Sequence, residues 1–349
     1  MDAFFAAVEE RDHEWLRGLP VVVGADPQEG KGRGVVSTAN YKAREYGIKS
    51  ALPISRAWQL SEEAKKKGLP PAVFLATNFE RYAEVSQSIM AIIREFASSI
   101  EEASIDEAYF DLSFTETFAG ATSICHKIKD KIREKENLTA SIGLGLNKLI
   151  AKIASDIQKP NGFTVVEEKD VEAFLEPLPI RKIPGIGPKT DLFFSQKGIK
   201  TVRDLKSFGR DELHGMLGKW GLDLYEKVRG LDDSPVADTY EIKSMGEQET
   251  FPEDTRDPNF IMGRLEIMCG NVVERMQGSG FQSFRTIVFT VRFSDFDSKS
   301  RSHTLLNAAS NQATLHFEAL KLLMPFLDSR GNPRKKSIRL IGLRIEKIA

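Results

Sequence analysis

Two adjacent carboxylates, Asp106 and Glu107, stand within Ser104-Ile105-Asp106-Glu107-Ala108-Tyr109-Phe110-Asp111, among residues that favour strands. Successive side chains on a strand face opposite sides, so one of the pair points toward a core unless the chain turns there. A carboxylate taken out of water is costly without a cation or donors beside it. A divalent cation at a strand end resolves the conflict, and hard oxygen ligands suit Mg²⁺ or Mn²⁺. The same pair also reads as the solvated end of a strand. A second signal is Ile183-Pro184-Gly185-Ile186-Gly187-Pro188-Lys189. Glycines at 185 and 187 let backbone amides approach a phosphate, and a helix opening after them favours the anion. Its plainer reading is a tight turn between helices. Gly143-Leu144-Gly145-Leu146-Asn147-Lys148 lacks the GK[ST] of a phosphate-binding loop. The 5 histidines show no ligand spacing and take no role.

The elements that must position these groups follow from pattern. Val21–Val23 and Val35–Thr38 read as short strands. Tyr82, Val85, Ile89, Ile92, Ile93 and Phe96 recur at helical spacing. Ile100 to Leu112 reads as two strands around the acidic pair. A lysine-rich helix over Ala119–Lys135, a strand over Leu138–Leu144 and a helix over Asn147–Ile157 come next. The span 1–166 is thus an α/β domain, and 12–71, with its Gly30-Lys31-Gly32-Arg33-Gly34 loop, is a subdomain inserted in it. From 167 to 232 short helices are punctuated by proline and glycine, and 233–242 is a polar linker. From 243 the order β-α-β-β-α-β is predicted, the split βαβ pattern.

Composition limits the function classes. Of 349 residues, 41% are hydrophobic and 28% charged, the balance of folded globular domains. The net charge of -1 excludes a uniformly basic nucleic-acid binder. It conceals an asymmetry: residues 243–349 hold 16 basic against 12 acidic side chains, whereas both earlier segments are net acidic. Arg334, Lys335, Lys336 and Arg339 cluster there and suit a polyanion, although such a run also serves as a solvated face. Two cysteines without CxxC spacing exclude a disulfide framework and a thiolate zinc site. No apolar run reaches a membrane span, and the acidic N-terminal segment lacks the form of a signal peptide. A cytoplasmic, nucleoid-associated chain without membrane contact is expected.

Several separated segments together resemble the Y-family DNA polymerases, in their DinB branch. They are Met1-Asp2-Ala3-Phe4-Phe5-Ala6-Ala7-Val8-Glu9, Val36-Ser37-Thr38-Ala39-Asn40-Tyr41-Lys42-Ala43-Arg44 with Tyr46-Gly47, and Ser104-Ile105-Asp106-Glu107-Ala108-Tyr109. Thr139–Gly143, Asn147-Lys148, Ala151–Asp156, Lys159-Pro160-Asn161-Gly162, Lys182–Gly187 and Lys243–Phe251 continue in the family's order over nearly the whole chain.

The resemblance implies an α+β right-hand polymerase: palm (1–11 and 72–166), inserted fingers (12–71), helix-hairpin-helix thumb (167–232), linker (233–242) and little finger (243–349). By motif position, Asp106 and Glu107 would be the catalytic carboxylates holding two Mg²⁺ ions per site. Phe5 matches the steric gate that excludes a 2′-hydroxyl, with Phe4 the core residue beside it. Thr38, Tyr41, Arg44 and Lys159 match the residues that hold the triphosphate of a dNTP, and Ser37 and Ala51 the small residues over the nascent pair. Gly185, Gly187 and Lys189 of the thumb, with Arg334, Lys335, Lys336 and Arg339, would grip primer–template DNA. The implied activity is low-fidelity translesion synthesis by a monomer. A sliding clamp is a further possible partner on this resemblance, although the family's usual C-terminal clamp peptide is absent from this sequence.

There is one departure at the other end. The family opens with an apolar strand carrying a first Asp, and this chain starts at the Met that follows it, so Asp2 matches the second Asp. The expectation is a palm short of one strand and one metal-binding carboxylate, and severely impaired extension. The rival readings are a DNA-binding relative that keeps the grip without the chemistry, and a helix-hairpin-helix nuclease, for which the Phe4-Phe5 and Thr38/Tyr41/Arg44 set has no use.

Overall fold

The computed structural model describes residues 1–238 and 241–349, and the chain divides into two compact units, Met1–Thr239 and Tyr240–Ala349. The first unit runs α1 (Phe4–Asp12), β1 (Val21–Gly24), β2 (Val36–Ala39), α2 (Tyr41–Glu45), α3 (Ile54–Lys66), β3 (Val73–Leu75) and α4 (Phe79–Arg94). The hairpin β4 (Ile100–Ser104) and β5 (Glu107–Phe110) follows, then α5 (Phe118–Glu136), β6 (Ile142–Leu144), α6 (Lys148–Ser155) and β7 (Phe163–Val165). Short helices α7 (Val171–Leu175), α8 (Pro188–Ser195), α9 (Val202–Lys206), α10 (Arg210–Leu217) and α11 (Lys219–Lys227) complete it.

Two long helices carry the hairpin. In α4 the positions Tyr82, Val85, Ile89, Ile92 and Ile93 form one buried stripe, and Asn78 starts the helix by accepting from the Arg81 amide at 3.2 Å. Thr117 does the same for α5, from Gly120 N at 3.1 Å. Their apolar faces meet Phe4, Ala6 and Val8 of α1 in a single core. The sheet β2-β1-β3 serves two cores, because strand alternation sends Val21 and Val23 to this one and Val22 to another with Ile48, Ile54 and Ala57. β3 lies past residue 71 yet pairs in parallel with β1, so the segments read as fingers and palm share a sheet.

The strand expected over Leu138–Leu144 is shorter: β6 begins at Ile142. The backbone before it is engaged elsewhere. Thr139 O accepts from the Asp2 amide at 3.2 Å, and Ala140 O accepts from Lys129 Nζ at 2.7 Å. β6–β7 and β4–β5 form separate two-stranded pairs, and β5 and β6 line a cavity of about 560 Å³ with Ile89 and Ile93 of α4 and Cys125 and Ile128 of α5. The helical segment beyond 167 packs in a core of Ile180, Ile183, Phe194, Leu205, Leu213 and Leu224 that it shares with Leu149, Ile150 and Ile153 of α6. Residues 235–238 of the stretch read as a linker are tied to the first unit. Ile100 N donates to Asp238 Oδ1 at 2.7 Å, Ala237 N to Glu101 Oε2 at 3.0 Å and Lys148 Nζ to Pro235 O at 3.0 Å. Residues 239 and 240 of it lie outside the described residues.

The second unit is β8 (Ser244–Thr255), α12 (Pro258–Gly278), β9 (Phe284–Phe293), β10 (Ser298–Ala309), α13 (Gln312–Leu327) and β11 (Ile338–Glu346), the β-α-β-β-α-β order expected. Its sheet is antiparallel in the order β10-β9-β11-β8. Ile287, Phe289, Val291 and Phe293 face the two helices with Leu265, Met268, Leu323 and Phe326. Truncating one of these phenylalanines to alanine costs about 3–5 kcal/mol. Among the described residues no helix is long and apolar enough to cross a membrane.

Candidate active site

The acidic pair sits where the chain turns. β4 and β5 pair with Ser104 opposite Glu107, leaving Ile105 and Asp106 as a two-residue turn. Neither carboxylate is therefore driven into the core. Ser104 Oγ donates to Asp106 Oδ1 at 2.9 Å, and Glu107 forms an ion pair with Lys152 of α6. The Met1 amine donates to the Asp106 backbone carbonyl at 2.6 Å. Burial lowers its pKa, against the pull of Asp106.

Asn40 organises the next group. Its side chain accepts from Ala43 N at 2.9 Å and from Val21 N at 3.0 Å, so α2 starts directly where β2 ends. Thr38 thus stands on β2 opposite Val23, and Tyr41 and Arg44 lie one turn apart on α2. The Arg44 guanidinium sits 4.6 Å from the Tyr41 ring centroid, and its Nε donates to Ala39 O at 2.9 Å. The Tyr41 hydroxyl is buried without a hydrogen-bond partner. Burial and then the charge of Asp2 push its pKa up, against Arg44 and Lys159, so the phenol keeps its proton. Lys159 pairs with Asp156 at 2.7 Å. Burial works against its charge, but Asp156, Glu107 and Asp2 outweigh that and move its pKa upward. Lys159 therefore lies in the electrostatic reach of Tyr41 on one side and of Glu107 on the other.

Phe4 is 2% exposed and belongs to the core, whereas Phe5 is half-buried. Ser37 is half-buried on β2, and Ala51 is exposed with its amide bonded to Val36 O at 2.9 Å. Asp2 is buried and committed: it accepts from Ser141 Oγ at 2.7 Å and Asn161 N at 2.8 Å. Among the described residues no group of three or more histidine, cysteine or acidic side chains is placed to hold a metal. Asp106 and Glu107 remain as a hard-oxygen pair at the cavity lined by Lys152 and Lys159. That donor set fits a magnesium-like cation whose other positions are filled by phosphate and water.

In the helical segment, Gly187 caps α8 and Lys189 is exposed in its first turn. Gly185 adopts φ +98°, a conformation that other residues rarely take. In the second unit the basic cluster splits. Arg334 and Lys335 are exposed, while Lys336 pairs with Asp295 at 2.6 Å and Arg339 stands 3.6 Å from Asp254 and over the Phe296 ring. The reading by charge missed the sheet face turned away from the helices. Hydroxyls line it in pairs, Thr286 with Thr304 at 2.9 Å and Thr290 with Ser300 at 2.7 Å, beside Arg292 bonded to Ser298 at 3.0 Å. Strand alternation was the available signal. Lys152 was also missed as a partner of the acidic pair, though Lys148 and Lys152 fall one turn apart on α6.

The impB/mucB/samB family matches residues 1–156, and its C-terminal domain matches 242–349. Its helix-hairpin-helix motif matches 168–191, and the DNA polymerase-iota thumb domain matches 181–232. "DNA polymerase IV 2" of Methanosarcina mazei is 41% identical over 349 residues, which is 100% of this chain and 90% of that protein. "DNA polymerase IV" of Methanoculleus marisnigri is 42% identical over 345 residues, 99% of this chain and 92% of the relative. Among solved structures, the Y-family polymerase chimera Dbh-Dpo4(243-245)-Dbh is similar with a TM-score of 0.87 at 31% identity, covering 99% of this chain and 97% of the other. The insertion ternary complex of Dbh DNA polymerase has a TM-score of 0.66, with the same identity and coverage.

Proposed function

The chain belongs to the Y-family DNA polymerases, in their DinB or DNA polymerase IV branch, and we propose that it copies damaged templates at low fidelity, joining dNTPs to a primer 3′-hydroxyl. It is a DNA-directed DNA polymerase; the substrate contacts and the metal are the proposed part. The observation that carries them is the buried Tyr41 hydroxyl, left without a hydrogen bond in the fold, beside Arg44 and near Lys159, whose charge Glu107 of the acidic turn supports. A buried donor without a partner costs about 1–3 kcal/mol, and a phosphate oxygen removes that cost.

On this reading Thr38, Tyr41, Arg44 and Lys159 hold the β- and γ-phosphates through hydroxyl and charge-assisted contacts. Asp106 and Glu107 would hold the two Mg²⁺ ions. Bound there, the metal neutralises triphosphate charge and makes the primer hydroxyl a better nucleophile. Lys152 orients the Glu107 carboxylate through their ion pair, and Phe5 faces the sugar. The thumb glycines Gly185 and Gly187 with Lys189, the exposed pair Arg334 and Lys335, and the hydroxyl-lined sheet face with Arg292 grip primer–template DNA. The solved ternary complex of the Dbh relative supports DNA and nucleotide as partners.

A chain that binds DNA without extending it draws on one observation: Asp2 is bonded to Ser141 and Asn161, which leaves two carboxylates at the turn. Single-nucleotide primer extension with Mg²⁺ separates the readings. Incorporation that follows the templating base supports polymerase action. DNA binding without incorporation supports the second reading, and strand cleavage a nuclease.

A further inference from the structure

Phe5 and Glu9 lie one helical turn apart on α1, and both meet Tyr82 of α4. The Tyr82 ring is stacked on Phe5, with 4.3 Å between centroids and 12° between planes. At its other end the Tyr82 hydroxyl donates to Glu9 Oε1 at 2.6 Å. Tyr82 is fully buried. Burial and the bond to Glu9 both raise its pKa, so the hydroxyl remains a donor. Phe79 meets the Phe5 ring edge-on at 5.8 Å, and Phe4 meets it tilted at 5.8 Å. Phe5 is thus backed on one face by a ring that a carboxylate fixes. For Phe5 to yield, Tyr82 must move, which breaks a charge-assisted hydrogen bond in a buried setting.

We propose that Glu9 is a positioning residue for sugar selection: through the Tyr82 hydroxyl it fixes the ring behind Phe5, and with it the clearance at the sugar 2′ position of the incoming nucleotide. This rests on the reading of Phe5 as the gate. Glu9 acts through Tyr82 and touches no substrate. Its other neighbour, His13 Nε2 at 3.5 Å, is solvent-exposed and leads away from the rings.

The test measures dNTP and rNTP affinities for the chain on a dideoxy-terminated primer–template with Mg²⁺, which needs no chemistry. Phe5→Val is expected to abolish the preference for dNTP. Glu9→Ala and Tyr82→Phe should each lower it roughly tenfold, the factor given by about 1.4 kcal/mol, with dNTP affinity itself nearly unchanged. Glu9→Gln keeps an acceptor oxygen and should retain most of the preference. In the Phe5→Val background Glu9→Ala should change nothing further. If Phe5→Val acts while Glu9→Ala and Tyr82→Phe do not, the positioning role is overturned and the gate stands. If Glu9→Gln is as poor as Glu9→Ala, the hydrogen-bond route is wrong. An unchanged preference in Phe5→Val removes the gate reading and this inference with it. Tyr82→Phe keeps the core ring, so it decides the matter if Glu9→Ala fails to fold.

Discussion

The Arg44 guanidinium lies 4.6 Å from the centre of the Tyr41 ring, while the hydroxyl at the far end of that ring is buried with no hydrogen-bond partner. The cation–π contact orients the ring, and the fold leaves the donor at its tip unused. Tyr41→Phe should therefore leave the free protein at least as stable, because it deletes an unsatisfied group worth about 1–3 kcal/mol. The same change should raise the dNTP KM several-fold. Thermal melting and steady-state insertion check both halves; a lower melting temperature with unchanged KM would show that the hydroxyl serves the fold.

Phe5→Val should let the chain insert ribonucleotides, since removing the ring opens space at the sugar. Insertion of rNTP and dNTP opposite one templating base is compared. A ratio equal to that of the unsubstituted chain contradicts the gate.

In the second unit the salt dependence of DNA binding should divide along the ion pairs. Arg334→Ala and Lys335→Ala should each flatten the slope of log K against log salt by roughly 0.9 if each contacts one phosphate. Lys336→Ala should change the slope less and cost stability instead, because its ammonium bridges Asp295 and Asp297. An identical slope in the Arg334→Ala/Lys335→Ala pair shows that this loop faces solvent in the complex.

Much of this was legible in the sequence, and the parts that were not share a cause. The stripe of α4 is a local pattern, Tyr82 to Ile93 repeating at helical spacing, whereas the residues around Asp106 and Glu107 left open whether the pair stands on a strand or at a turn. The short helices over 167–232 and the β-α-β-β-α-β order were read from local pattern in the same way as α4. The union of Tyr41 and Arg44 with Lys159 came through motif resemblance, since no periodicity links α2 to the loop after α6. Pairings that depend on side-chain direction stayed hidden: Lys152 on Glu107, Tyr82 between Phe5 and Glu9, and Asp2 on Ser141. The strand before Ile142 was overestimated because Lys129 and Asp2 use the carbonyls that a neighbouring strand would need.

Burial pushes the Cys125 thiol up to about 12 from an ordinary 9.0, and Cys269 likewise, with Glu266 adding to the rise. Both thiols are neutral in the fold, so their contribution to stability is complete below pH 9 and is lost as pH rises from there toward about 12. At pH 8 the native chain should resist iodoacetamide, with a thiolate fraction on the order of one in ten thousand, and react at both cysteines once unfolded. Rapid alkylation of the native chain would place a thiol outside the core.

The most direct measurement is single-nucleotide extension of a primer–template by the chain and by its Asp106→Asn and Glu107→Gln variants, with DNA binding followed in parallel. Incorporation of the complementary dNTP in Mg²⁺ is expected, with loss of incorporation in both variants and DNA affinity within a few-fold of the unsubstituted chain. Incorporation that survives either substitution, or that ignores the templating base, would contradict the proposed function.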